Sequence, residues 1–127
     1  MSYRSKVYLF VDAEKEEILD SFLEALHFEG SVEKKLRRDG SFYAMLGCNT
    51  DYQPYVSDMI RVCLGSLLHR ANEIKEWKCS FPVSTMLTIV PHLVDNEEPQ
   101  QCLSLDKDII EWLYLSDSEM DLDYYLA

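Results

Sequence analysis

Leu36-Arg37-Arg38-Asp39-Gly40-Ser41-Phe42-Tyr43-Ala44-Met45-Leu46 is the stretch that decides the fold. An Asp-Gly pair between two strand-like runs signals a hairpin, because a type I′ turn needs positive φ at both central residues. The arm before the turn, Ser31 to Arg38, sets Val32 and Leu36 among Lys34, Lys35, Arg37 and Arg38. A weak, basic arm suits an edge strand, where cations discourage further pairing. The arm after it, Ser41 to Cys48, is the better strand.

Ahead of the hairpin, residues 6–11 (Lys-Val-Tyr-Leu-Phe-Val) are β-branched and aromatic and predict a strand. Asp12 then offers an N-cap, with Glu14, Glu16 and Glu17 in a favourable first turn. Ile18, Leu19, Phe22, Leu23, Ala25 and Leu26 follow at helical spacing, and Gly30 is the expected exit. Behind the hairpin, Pro54 suits a first helical turn. Tyr55, Met59, Ile60, Cys63, Leu64, Leu67, Leu68, Ala71 and Ile74 repeat at three and four, which predicts one long helix to about Trp77. Gly65 inside it points to close packing. Residues 83–94 predict a strand whose far end Pro91 marks as a bulge or edge. A loop with Asp95 to Pro99 follows, then a short helix capped by Ser104 and carrying Ile109, Ile110, Trp112 and Leu113. The last strand runs through Glu119-Met120-Asp121-Leu122-Asp123-Tyr124-Tyr125-Leu126.

The predicted order is strand, helix, strand, strand, helix, strand, with an added helix and strand. Its first six elements spell the ferredoxin-like βαββαβ order, an α+β class with helices mainly on one face of the sheet. With 127 residues the chain has the material of one domain, 1–127. No apolar run approaches the ~18 residues that span a bilayer, and no cleavage site follows the N-terminus. The expected location is the cytoplasm. Cys48, Cys63, Cys79 and Cys102 form no C-x-x-C pair and are expected as reduced thiols.

Charge narrows the function classes. The net charge is −11, and residues 95–127 hold ten acids against Lys107, a net of −9. Such a chain repels nucleic acid and anionic membrane and speeds encounter with a basic protein. Solubility is the plainer reason for an acidic surface. Lys34, Lys35, Arg37 and Arg38 are the one basic cluster, either a guarded edge or a mate for the acidic C-terminal strand.

No enzyme motif is present. His27, His69 and His92 share no motif, so zinc is not indicated. A nucleophile elbow, a phosphate loop and a dinucleotide fingerprint are all lacking. Asp121 and Asp123 lie ~7 Å apart on one strand face, too few oxygens for a cation such as calcium. No metal or cofactor is therefore expected. By strand parity Tyr8, Phe10, Tyr43, Met45 and Tyr125 share a face with Asp121 and Asp123. Aromatic anchors inside an acidic rim suit a protein partner, unless the helix near 104–114 folds over that face.

The C-terminal run Leu103-Ser104-Leu105-Asp106-Lys107-Asp108-Ile109-Ile110-Glu111-Trp112-Leu113, followed by Met120-Asp121-Leu122-Asp123-Tyr124, resembles the ending of a bacterial domain-of-unknown-function family. Its members are small single-domain proteins with a leucine-rich helix and a terminal Asp-x-Asp-x-Tyr strand. The family's central Pro-Thr pair and Trp residues have no counterpart in Gly30 to Gly40. The resemblance brings no catalytic residues. Small acidic proteins of this build are also loosely similar to bacterial toxin immunity proteins. The expectation is a non-enzymatic binding protein that neutralises a basic bacterial toxin, for example a nuclease, by occlusion. The contact residues would be Glu97, Glu98, Asp117, Glu119, Asp121, Asp123 and Tyr125. The alternative is a structural or regulatory module of that family with no toxin partner.

Overall fold

The structure, a computed structural model, describes residues 5–91 and 101–123. Five strands and four helices follow in the order β1 (Lys6–Ala13), α1 (Glu16–Leu26), β2 (Val32–Leu36), β3 (Phe42–Asn49), α2 (Val56–Leu64), α3 (Ala71–Ser80), β4 (Val83–Val90), α4 (Lys107–Leu115) and β5 (Glu119–Leu122). The strands form one sheet in the order β2-β3-β1-β4-β5. The first four pair antiparallel, and β5 joins β4 in parallel. The class is α+β, and β1 and β3, separated by a helix and a strand in sequence, lie side by side.

Alternation along β1 sets the two faces. Val7, Leu9, Val11 and Ala13 are buried, while Lys6, Tyr8, Phe10 and Asp12 are half-buried on the other side. The buried row joins Ala44 and Leu46 of β3, Leu87 and Ile89 of β4, and Leu19, Phe22 and Leu26 of α1 in one core. Met59, Ile60, Cys63 and Leu64 add α2 to it. The helix at 107–115 belongs to this helical layer: Ile109 and Trp112 lie in the core, and the Trp112 indole N–H donates to the Leu67 carbonyl at 2.7 Å. It packs against α3 and α2 and does not fold over the opposite sheet face.

Several local expectations give way to tertiary demands. Asp12 does not cap α1. Strand β1 continues through it to Ala13, because pairing with Tyr43 and Ser84 holds the backbone extended, and its carboxylate accepts from Arg37 Nη1 at 2.7 Å. Helix α1 ends at Leu26, four residues before Gly30, with His27 in the left-handed region at φ 47°. The hairpin turn is not type I′. Gly40 alone of the Asp-Gly pair has positive φ, at 90°, and donates to the Arg37 carbonyl, while the Asp39 carboxylate accepts from the Ser41 N–H and Oγ. This is the three-residue alternative, a tight turn closed by a left-handed glycine.

The long helix breaks. Gly65 ends α2 at φ 53°, ψ −126°, a 3-10 turn covers Gly65–His69, and α3 starts afresh at Ala71. A Cβ at Gly65 would meet open space, so the glycine serves conformation rather than close packing. Ser104 is not the cap of α4. Asp106 holds that position, and Ser57 Oγ bridges them, donating to the Ser104 carbonyl and accepting from the Asp106 N–H. Finally, β2 and β5 stand at opposite ends of the sheet, so the basic arm and the acidic strand of one chain do not pair.

Candidate functional site

The sheet face away from the helices is built by cross-strand rows. One row carries Glu119, Met86, Phe10, Met45 and Glu33 from β5 to β2. A second carries Asp121, Thr88 and Tyr8, and a third Ser84, Asp12, Tyr43 and Lys35. Register thus brings Tyr8, Phe10, Tyr43, Met45 and Asp121 onto one face, because side chains directly opposite each other share a side of the sheet. The centre is apolar and aromatic. The Phe10 and Tyr43 rings lie 5.1 Å apart, and the Arg37 guanidinium covers them at 5.5 and 5.0 Å. Asp12 anchors that guanidinium and strengthens its hold on its proton. Lys6 Nζ lies 5.4 Å from the Tyr8 ring centroid. The Thr88 hydroxyl is buried on this face and has no hydrogen-bond partner among the described residues.

The acidic end of the face is β5 and the turn before it. Glu119 and Asp121 are exposed. Asp117 occupies the left-handed region at φ 55°, which lets the chain leave α4 and turn back along β4. Its carbonyl accepts from Lys78 Nζ at 2.5 Å. Burial makes the Lys78 ammonium easier to deprotonate than usual, with Asp117 and Glu119 acting against that shift. Asp123 follows the strand, half-buried, and its N–H donates to the Ile89 carbonyl at 2.9 Å. The structure therefore brings Asp117, Glu119, Asp121 and Asp123 together along one sheet edge. Glu97, Glu98 and Tyr125 lie outside the described residues.

Not all of the C-terminal acid belongs to this edge. Asp106 and Asp108, with Asp58, surround Arg61 on α2. Asp108 takes two bonds from that guanidinium, at 3.0 and 2.9 Å, which hold its carboxyl below the ordinary range. These acids fasten α4 to α2. Sequence reasoning missed Arg61 because its two partners on the C-terminal arm, Asp106 and Asp108, are 45 and 47 residues away. It also placed Arg37 with the edge cations, although Arg37 has the same strand parity as Lys35, which faces Tyr43.

His27 lies at the end of α1 and His69 in the 3-10 turn, and His92 lies outside the described residues. No cluster of three or more His, Cys, Asp or Glu suited to a metal occurs among the described residues. A cleft of about 350 Å³ opens between the ends of α1 and α2, lined by Phe28, Gly47, Cys48, Cys63 and Ser66. Burial pushes the Cys63 thiol up to about 12, which keeps it protonated and a poor nucleophile. All four cysteines are free thiols. No described helix is long and apolar enough to cross a membrane.

Comparison with known proteins adds no relative: no family model, curated protein or solved structure matches this chain.

Proposed function

We propose that this chain is a non-catalytic binding protein that docks a basic protein on the β5 side of its open sheet face. The observation that carries this reading is the row Glu119–Met86–Phe10–Met45 with its neighbour Asp121–Thr88–Tyr8. It sets exposed carboxylates beside half-buried Met86, Phe10 and Tyr8, with Met45 and Thr88 buried among them, on the face that the helical layer leaves open. Acids at a rim steer a cationic partner and speed its approach, and apolar anchors inside that rim slow its departure. In its most concrete form the chain is an immunity protein that neutralises a basic bacterial toxin, for example a nuclease whose cationic cleft the carboxylates would fill in place of phosphates. Asp117 and Asp123 extend the acidic edge. Glu97, Glu98 and Tyr125 enter this proposal from sequence alone.

The test is capture from a lysate of the native organism, comparing wild type with the Glu119→Lys/Asp121→Lys double variant at low salt. The expected result is one basic protein held by wild type and lost from the variant, with circular dichroism of the two unchanged. Capture of the same protein with equal affinity by both would reduce the β5 acids to a solvated surface. Nucleic acid or a small-molecule turnover in place of a basic protein would overturn the reading.

A further inference from the structure

The two ends of the sheet complement each other. Strand β2 reads Val-Glu-Lys-Lys-Leu and is exposed at all five residues; β5 reads Glu-Met-Asp-Leu and is exposed at all four. Each is terminal in the sheet, and among the described residues no strand covers its outer side. An edge strand turns a row of unpaired N–H and C=O groups outward, a template for another chain.

Side-chain parity matches as well. Lys35 pairs across to Tyr43, and Asp121 to Thr88, so both stand on the open face. Val32 and Leu36 of β2 stand on the helical side, as do Met120 and Leu122 of β5. All four are apolar residues left in water, 45% and 64% exposed on β2 and 40% and 37% on β5. Strand direction matches too. Both β2 and β1 run against β3, whereas β4 and β5 run against β1, so β2 and β5 are antiparallel. A second copy moved along the sheet without being turned over presents its β2 antiparallel to the first copy's β5, open face beside open face.

We propose that the β5 edge of one copy pairs head to tail with the β2 edge of a second copy, Lys35 lying opposite Asp121 and Leu36 opposite Met120. The same register carried one residue past β2 sets Arg37, whose guanidinium Asp12 holds at 2.7 Å, opposite Glu119. One like-charged pair remains, Glu33 with Asp123, and Glu33 is already tied to Lys35 at 3.8 Å. Pairing two β5 edges would set carboxylate against carboxylate, and pairing two β2 edges about Lys34 would set that lysine against its own copy, each unfavourable directly across strands. The net charge of −11 repels whole copies. At about 0.1 M salt, however, a screening length of ~10 Å weakens that repulsion more than it weakens charges in contact. A contact between two different edges does not close in a pair, so the assembly grows into chains or a ring. This inference stands apart from the proposed function, although a basic partner on β5 and a second copy would exclude each other.

The test is sedimentation equilibrium of the full chain over a range of concentrations, at about 0.1 M and about 1 M salt, where the screening length falls to ~3 Å. The average mass should rise past that of a dimer with concentration at the lower salt and fall back at the higher. Lys35→Glu alone and Asp121→Lys alone should each remain monomeric, with unchanged circular dichroism. Mixed in equal amounts they should regain association, since each reversed charge then finds its opposite. A monomer at every concentration, a mass that stops at dimer, or loss of association in only one of the two variants would overturn the proposal.

Discussion

Asp108 and Trp112 show how single side chains fix the C-terminal arm. The two bonds from Arg61 hold the Asp108 carboxyl below its ordinary pKa in the folded state. A carboxyl lowered in this way adds stability above its unfolded value of about 3.9, and that stability is lost as pH falls through the folded value. Asp108→Asn should therefore lose its urea midpoint less steeply than wild type as pH falls below about 4. The difference should shrink in high salt, since the pair is exposed. Identical slopes would mean that the bidentate pair does not order in solution. One turn further on, Trp112 is buried and spends its N–H on the Leu67 carbonyl. Trp112→Phe keeps most of the apolar burial but leaves that carbonyl without its donor, at a cost of about 1–3 kcal/mol. A melting temperature equal to wild type would show that the bond contributes nothing net. Thiols give a third check. Exposed Cys79 should label rapidly in the native protein, while buried Cys63, pushed up to about 12, should label only on unfolding.

Among the elements, the broken helix and the hairpin depend on backbone angles that side chains resist. Gly65 ends α2 at φ 53°, ψ −126°, and Gly40 closes the hairpin at φ 90°. Neither would meet a neighbour on gaining a Cβ, so the cost of substitution is conformational alone. Gly65→Ala should destabilise by about 1–3 kcal/mol, the usual range for a strained backbone residue. Gly40→Val should cost on the order of 1–2 kcal/mol, because a β-branched residue resists positive φ. Both are read from thermal or denaturant melts. If Gly65→Ala left the melt unchanged, the 3-10 turn would be a continuous helix in solution. The break matters for the rest of the element: it turns Leu67 inward so that its carbonyl meets Trp112, and thereby seats α4 in the helical layer.

For the whole molecule the decisive feature is an asymmetric charge distribution on an otherwise simple sheet. The acids at β5, the aromatic centre and the basic β2 edge lie in sequence across one face. If that face binds a basic partner, Glu119→Lys/Asp121→Lys should slow association and leave dissociation nearly unchanged, because rim charges act on encounter. Phe10→Ala, by contrast, should speed dissociation, as loss of a central anchor does. Stopped-flow kinetics at two salt concentrations separates the two effects. Unchanged association and dissociation in both variants would place the contact elsewhere.

The α+β class, the strands, their alternation and the hairpin were legible in the sequence, because period-two and period-three-to-four patterns are local consequences of backbone geometry. Parity alone put Tyr8, Phe10, Tyr43, Met45 and Asp121 on one face, and the register agrees. Four decisions belonged to the tertiary structure. Whether Asp12 capped a helix or stayed in β1 depended on Tyr43 and Ser84 on two other strands. The side on which α4 packs depended on a Trp112–Leu67 bond across 45 residues. The acids of the C-terminal third divided between Arg61 and the open β5 edge only once α2 and α4 met. The basic and acidic strands, complementary on paper, went to opposite ends of the sheet. Strand neighbours are chosen by the shared core they bury rather than by charge, since apolar burial acts over the whole sheet whereas exposed ion pairs contribute little.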